Sequence, residues 1–132
     1  MDWKLEVVVI PVSDVDRAKE FYADRVGFQV DVDRSFGDAF RVVQLTPPGS
    51  ACSVTFGIGL TPMTPGSLKG LQLVVDDIRA ARAHLLEHDV NVSAVQHFED
   101  GVAKEGPGGD WNSFIFFDDP DGNSWAVQQK PG

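Results

Sequence analysis

Three histidines and one cysteine are the scarce reactive groups of this 132-residue chain. His84 and His88 stand four apart, a spacing at which two imidazoles on one helical face can share a metal ion. The intervening Leu85-Leu86-Glu87 lacks the glutamate placement of a zinc protease, and no third ligand is in reach. A helix that buries Ile78, Ala81 and Leu85 puts both histidines on its flank, so they read as a solvated surface. His97 falls at the end of an expected strand, where a glycine-rich stretch begins. Neutral imidazole can serve there as acid, base or hydrogen-bond partner near pH 7, so His97 is either a ligand contact or a rim residue bonded to a backbone carbonyl. Arg41, in the mainly apolar run from Phe40 to Leu45, could clamp a carboxylate or enolate through two parallel hydrogen bonds. Its other reading is a salt bridge on an outer strand face. Cys52 has no basic neighbour in sequence to lower its pKa and reads as a small buried hydrophobe. No Ser/His/Asp or Cys/His nucleophile can be placed.

Amides and indoles are the better candidates for binding. Gln44, Gln72 and Gln128 occur within strands where apolar residues are expected, and an amide facing a cavity offers both a donor and an acceptor. Trp111, beside glycines, suits stacking on a flat ligand, whereas Trp125 shares a strand face with Val127 and reads as core. Phe114, Phe116 and Phe117 read as sheet packing. Gly101, Gly106, Gly108 and Gly109 lack the strand-to-helix junction and the Lys-Ser/Thr of a phosphate loop. The stretch from Glu99 to Asp110 instead reads as a mobile lid or an ordinary loop without packed structure.

The elements that must position these residues are written twice. Val7 to Phe28 reads strand, acidic turn, helix, and Leu71 to Val90 repeats the order. Ala18 and Tyr22 align with Ala81 and Leu85 at one offset, 63 residues, but Gly27 falls opposite Asp89, so the second copy is one residue shorter near its helix end. Such a repeat marks a duplicated unit whose copies bury apolar surface together. Ser13-Asp14 can cap a helix from Val15, with Ala18, Phe21, Tyr22 and Val26 on one stripe. Strands are expected at Leu5–Val12, Phe28–Asp33, Phe40–Thr46 and Cys52–Ile58. After a linker over about 59–69, the second copy gives strands at Gly70–Val75, Asn91–His97, Ser113–Phe117 and Ser124–Gln129, with a helix over Ile78–His88. The fold class is α+β: two βαβββ modules, about 4–58 and 70–130, in one domain, with curved mixed sheets forming a cup and the helices outside. A cleft near the pseudo-twofold axis is the expected place for a small ligand.

Composition narrows the partners. A formal net charge of −9 repels phosphate backbones and anionic lipid, so neither nucleic acid nor a membrane surface is an expected partner. No apolar run approaches the roughly 18 residues of a membrane span. MDWKLEVVV lacks the pattern of a signal peptide. A single cysteine asks for no oxidising compartment, which makes the cytoplasm the expected location.

The runs VSDVDRAKEFYADRVGF, FRVVQLTPPGS, GLQLVV and DPDGNSWAVQQ, on a duplicated frame, resemble the vicinal oxygen chelate superfamily of glyoxalases, bleomycin-resistance proteins and extradiol dioxygenases. The resemblance covers essentially the whole chain. It implies the glyoxalase/bleomycin-resistance fold and, in catalytic members, a divalent metal held by His, Glu or Gln on four strands. The matching positions here are Val7, Gly70 and Ala126, none of which can ligate, and a strand whose nearest donors are Cys52 and Ser53. Glu6 and Gln72 lie beside vacated positions, but alternation sends neighbours to opposite faces. The expectation is therefore a protein without metal or other cofactor that binds a small, partly aromatic molecule through Gln44, Gln72, His97, Trp111 and Gln128, in a sequestering or resistance role. The alternatives are a metal-dependent lyase, isomerase or dioxygenase, and a metal-free acid-base enzyme using His97 and Arg41. Relatives of this size often pair, and a homodimer is expected.

Overall fold

The structure, a computed structural model, describes residues 1–132. Its contacts divide into two compact units, residues 1–68 with 120–123, and residues 69–119 with 124–132.

The first unit has a four-stranded mixed sheet in the order β1-β4-β3-β2, built from β1 (Val7–Val9), β2 (Gln29–Ser35), β3 (Arg41–Thr46) and β4 (Ser53–Ile58). β1 runs parallel to β4 and the other pairs are antiparallel. The parallel pair requires a crossover, which the helix after β1 supplies. β1 is shorter than the β-branched run from Leu5 to Val12 suggested: the Ile10 N–H makes a last bond to the Thr55 carbonyl at 2.8 Å, and Pro11, which cannot donate to a ladder, follows. Asp14 caps α1 (Val15–Lys19), accepting from the Arg17 N–H at 3.1 Å.

That helix continues as a π-helical stretch over Glu20–Val26 and stops at Gly27, whose φ of 102° is left-handed. The extra residue seen in the sequence lies here. The Phe28 N–H reaches the Tyr22 carbonyl at 2.8 Å, whereas at the equivalent exit in the second unit the Val90 N–H reaches the Leu85 carbonyl at 2.9 Å. Tyr22 corresponds to Leu85 and Phe28 to Val90, so the first loop holds one residue more. A widened turn absorbs it. Tyr22 is fully buried, with Phe28 stacked on it and Phe56 tilted against it, each at 5.7 Å. Val43, Leu45 and Val54 complete this core beneath the helix.

The Asp-Pro-Asp-Gly-Asn turn contributes its residues 120–123 to the first unit. Asn123 is completely buried, donates to the Pro11 carbonyl at 2.8 Å and accepts from the Leu68 N–H at 3.1 Å. Asp121 accepts from the Ser13 backbone N–H and hydroxyl at 3.0 and 2.5 Å. Ser13, expected as a helix cap, thus serves this turn while Asp14 alone caps.

The second unit has a five-stranded sheet in the order β5-β9-β8-β6-β7: β5 (Leu71–Val75), β6 (Gln96–Glu99), β7 (Val102–Glu105), β8 (Phe114–Asp118) and β9 (Ser124–Gln129). β5 is parallel to β9, and α2 (Ile78–Glu87), capped by Asp77, provides the crossover. Ile78, Leu85, Ile115, Phe117, Trp125 and Val127 form its core, with Phe117 and Trp125 stacked at 6.0 Å.

Two sequence expectations are corrected here. The strand placed at Asn91–His97 is a lone bridge between Val92 and Phe117 followed by β6 at Gln96–Glu99. The glycine-rich stretch is partly a packed element, because β7 forms a hairpin with β6. Asp100 and Gly101, with φ of 52° and 78°, make its two-residue turn. Asp-Gly suits two consecutive left-handed residues, and this dipeptide was the missed signal.

On the helix side of the first sheet, Arg41 binds Asp33 through Nε and Nη2 at 3.1 and 3.0 Å and Asp16 through Nη1 at 2.8 Å. Lys19 binds Asp33 at 2.8 Å. Hydrogen bonds from Arg41 and then Lys19 lower the Asp33 pKa from 3.8 to about 2, and those from Asp33 and Asp16 push the Arg41 guanidinium upward. A carboxylate with a lowered pKa stabilises the fold fully above its unfolded value, and the contribution is lost as pH falls through the folded one. Asp33→Asn should cost about 1 kcal/mol at neutral pH, the scale of a partly exposed ion pair. Thermal melts across pH should show wild type losing that advantage between 3.8 and about 2, where the variant stays flat.

Candidate functional site

Strand alternation and register fix which residues share a face. In the second sheet, Gln128 pairs with Val74 on one side and Phe114 on the other, and Ala126 pairs with Gln72 and Phe116. Gln96 pairs with Phe114, which brings Phe98 to the same side. These residues lie opposite the buried Ile115, Phe117, Trp125 and Val127 that pack under α2. The second unit thus presents an open face of Phe98, Phe114 and Phe116, two glutamines and the methyl of Ala126.

The three rings form a cluster. Phe114 and Phe116 are stacked at 6.0 Å, and Phe98 stands edge-on to them at 5.4 and 6.4 Å. Phe98 is 38% exposed. Beside them, Gln128 Nε2 donates to the Trp111 carbonyl at 2.7 Å, and Gln72 Nε2 donates to Gln128 Oε1 at 2.6 Å. Because a carbonyl can only accept, the Trp111 bond fixes the orientation of both amides. Gln72 Oε1 and one N–H on each glutamine remain for a ligand. Trp111 has φ of 59°, a left-handed conformation costly for a bulky residue, and its side chain is 51% exposed. An open hollow of about 560 Å³ lies at the end of this face, where Asn91, Ser93, Phe116 and Asp118 meet the buried Val92, Phe117 and Asp119. That volume is in the range of small-molecule sites.

Of the residues singled out in the sequence, Gln72, Gln128 and Trp111 are therefore brought together. Gln44 lies in the first sheet, on the face away from α1, paired with Val32 and Thr55. Thr46 and Ser53 share that face, their hydroxyls 2.6 Å apart, and Thr46 also donates to Asp31 at a β-bulge. His97 points to the opposite side from Gln72 and Gln128, because β6 begins at Gln96. Its Nδ1 is 2.8 Å from the Gly106 carbonyl, and its Nε2 is 3.3 Å from Glu99. Its Cβ also limits Gly108, where any side chain would come within 2.8 Å of it. Arg41 is held by Asp33 and Asp16 under α1. His84 on α2 and His88 at its C-cap are exposed neighbours, rings 4.2 Å apart.

Phe114 and Phe116, read as sheet packing, line the open face; only Phe117 joins the core. The signal was present in Phe114-Ile115-Phe116-Phe117, which puts aromatics on both faces of one strand. Phe98 and Asp118 were missed because the strand containing one was displaced and the other was read as turn.

The donor set does not fit a metal. Val7, Gly70 and Ala126 carry no ligating atom, the Ser53 hydroxyl is bonded to Thr46, and Cys52 contacts the Ser53 carbonyl at 3.7 Å. No three His, Cys, Asp or Glu side chains are grouped to hold a cation.

Two βαβ-crossover modules, each with a helix on one face of a mixed sheet, define the class. A model of the glyoxalase/bleomycin resistance protein/dioxygenase superfamily matches residues 4–127, and the chain belongs to that superfamily. The crystal structure of TnmS3, described as an antibiotic binding protein from Streptomyces sp. CB03234, is similar at 34% identity, covering 98% of both chains with a TM-score of 0.78. A glyoxalase/bleomycin resistance protein from the same organism is 35% identical over 96% of this chain and 100% of its own, with a TM-score of 0.75. The uncharacterized protein YaeR of Escherichia coli K12 is 31% identical, with 87% of each chain covered.

Gln128→Leu removes the bonds to both Trp111 and Gln72. Two hydrogen bonds at about 1 kcal/mol each should raise amide exchange around Trp111 by roughly tenfold or more, measured by hydrogen–deuterium exchange, with the protection of β8 unchanged.

Proposed function

We propose that this chain is a metal-independent binding protein that holds a small, partly aromatic organic molecule against the open face of the second sheet and so sequesters it. The observation that carries this reading is the Phe98–Phe114–Phe116 cluster beside the fixed pair Gln72–Gln128. Aromatic rings supply apolar, π-rich surface, and the free amide groups set orientation. Ala126 supports the reading, since a methyl between Gln72 and Phe116 leaves room over the rings where catalytic relatives would carry a metal ligand. The similarity to a protein described as antibiotic-binding, over nearly the whole chain, points the same way.

Two- and three-ring aromatic compounds should quench the exposed Trp111 on titration. Phe116→Ala and Trp111→Ala should each weaken that binding by about 1–3 kcal/mol, the range for well-packed aromatic contacts. Affinities unchanged in both variants would remove this face from the site. Elemental analysis after growth with trace metals should find substoichiometric zinc, nickel, manganese and iron; one metal per subunit would overturn metal independence and return the lyase, isomerase and dioxygenase readings.

The proposal includes a cytoplasmic homodimer. Trp3, Leu5 and Val7 alternate along the N-terminal edge, 86%, 74% and 42% exposed, an apolar row suited to burial against a second subunit. Sedimentation equilibrium should give twice the chain mass, and Trp3→Ser with Leu5→Ser should shift it toward monomer. A monomer in the parent protein would exclude the dimer and leave the binding reading standing.

A further inference from the structure

Resting on the proposed binding face, we infer that its ligand carries a cationic nitrogen and that Asp118 is the group that selects for it. Asp118 follows Phe116 by two residues on β8 and pairs with Ser124, so it shares the side of Ala126 and the phenylalanines. The Val92–Phe117 bridge sets Asn91 beside it, and Asn91, Phe116 and Asp118, with the buried Asp119, line the open hollow of about 560 Å³. Its side chain is exposed and makes no ion pair or hydrogen bond within the protein. The neighbouring acids are engaged: Asp119 is buried, and Asp121 holds Ser13 and Arg17.

The charges on this side have one sign where it matters. Strand residues facing it are Gln72 and Val74 of β5, Gln96 and Phe98 of β6, Ala103 and Glu105 of β7, Phe114, Phe116 and Asp118 of β8, and Ser124, Ala126 and Gln128 of β9. None is Lys or Arg. Among strand residues in line with them the next base is Lys130, six residues beyond Ser124, roughly 20 Å along an extended strand, and paired with Asp76 at 3.1 Å. Off the strands, Arg82 is tied to the Ser93 carbonyl at 2.9 Å, and Lys69 precedes Gly70, whose N–H meets the Ser124 carbonyl at 3.2 Å. An anionic ligand over Phe116 would meet a carboxylate with no cation on the strands of this face to offset it. An ammonium within about 6 Å of the ring centre would meet Asp118 together with the negative faces of the stacked rings. The aromatic part of a ligand over Ala126 and Phe116 would thus place a short aminoalkyl substituent at Asp118, with Gln72 toward the other edge.

Three probes with one ring system test this: 9-(aminomethyl)anthracene as cation, 9-(hydroxymethyl)anthracene as neutral, and anthracene-9-carboxylate as anion, each followed by its emission anisotropy. The cation should bind at least tenfold more tightly than the neutral compound and the anion most weakly. Raising NaCl from about 50 to 500 mM should shrink the advantage, as screening requires. Asp118→Asn should bring the cation to within about twofold of the neutral compound measured on the same variant, and Asp118→Glu should restore most of the preference. Equal binding of cation and neutral compound, or a preference that survives Asp118→Asn, would overturn the assignment while the binding face stands. Failure of all three probes to bind would sink the binding face itself.

Discussion

The parallel pairing of each module's first strand with its last is the constraint on which the rest depends. β1 must find β4 and β5 must find β9, with Leu71 opposite Trp125, before either sheet has a defined width or two distinct faces. Those pairings join residues far apart in sequence, so loop-closure entropy is spent before the strands contribute. The helices answer this requirement. A parallel neighbour cannot be reached by a tight turn, and α1 and α2 carry the chain across while covering one face. What remains uncovered within the second unit is the face with the phenylalanines and glutamines.

Register then divides the chemistry. On β9, Trp125 and Val127 go to the core while Ala126 and Gln128 go to the open side; on β8, Ile115 and Phe117 oppose Phe114 and Phe116. The same rule separates Gln72 from His97 and ties the guanidinium of Arg41 to carboxylates on the helix side. Basic, aromatic and amide groups that look equivalent along the chain are thus sorted by parity.

Much of the scaffold was legible because its signals are local. Asp14 and Asp77 stand at matching cap positions, the helical stripes around Tyr22 and Leu85 align, and Gly27 and Asp89 both adopt left-handed conformations where the repeats end. The site was only partly legible. Gln72 and Gln128 stood out as polar residues in apolar strands, and Trp111 as an indole among glycines. The aromatic cluster did not, since assigning a phenylalanine to one face needs a pairing partner, and the one that fixes Phe98 is the single contact of Gln96 with Phe114. His97 shows the same sensitivity: starting β6 one residue later would send it to the other side.

The π-helical stretch shows which kinds of change this architecture tolerates. A single inserted residue in a strand would exchange its two faces, placing apolar side chains in solvent and polar ones beneath the helix. In a helix the same insertion is confined to one widened turn, and the chain leaves through Gly27 with β2, β3 and β4 still in phase. Length variation between the two copies can therefore accumulate in the crossover segments while the strands stay locked. Having diverged there, the copies are no longer interchangeable: a chimera that grafts the second helix onto the first sheet would arrive one residue short.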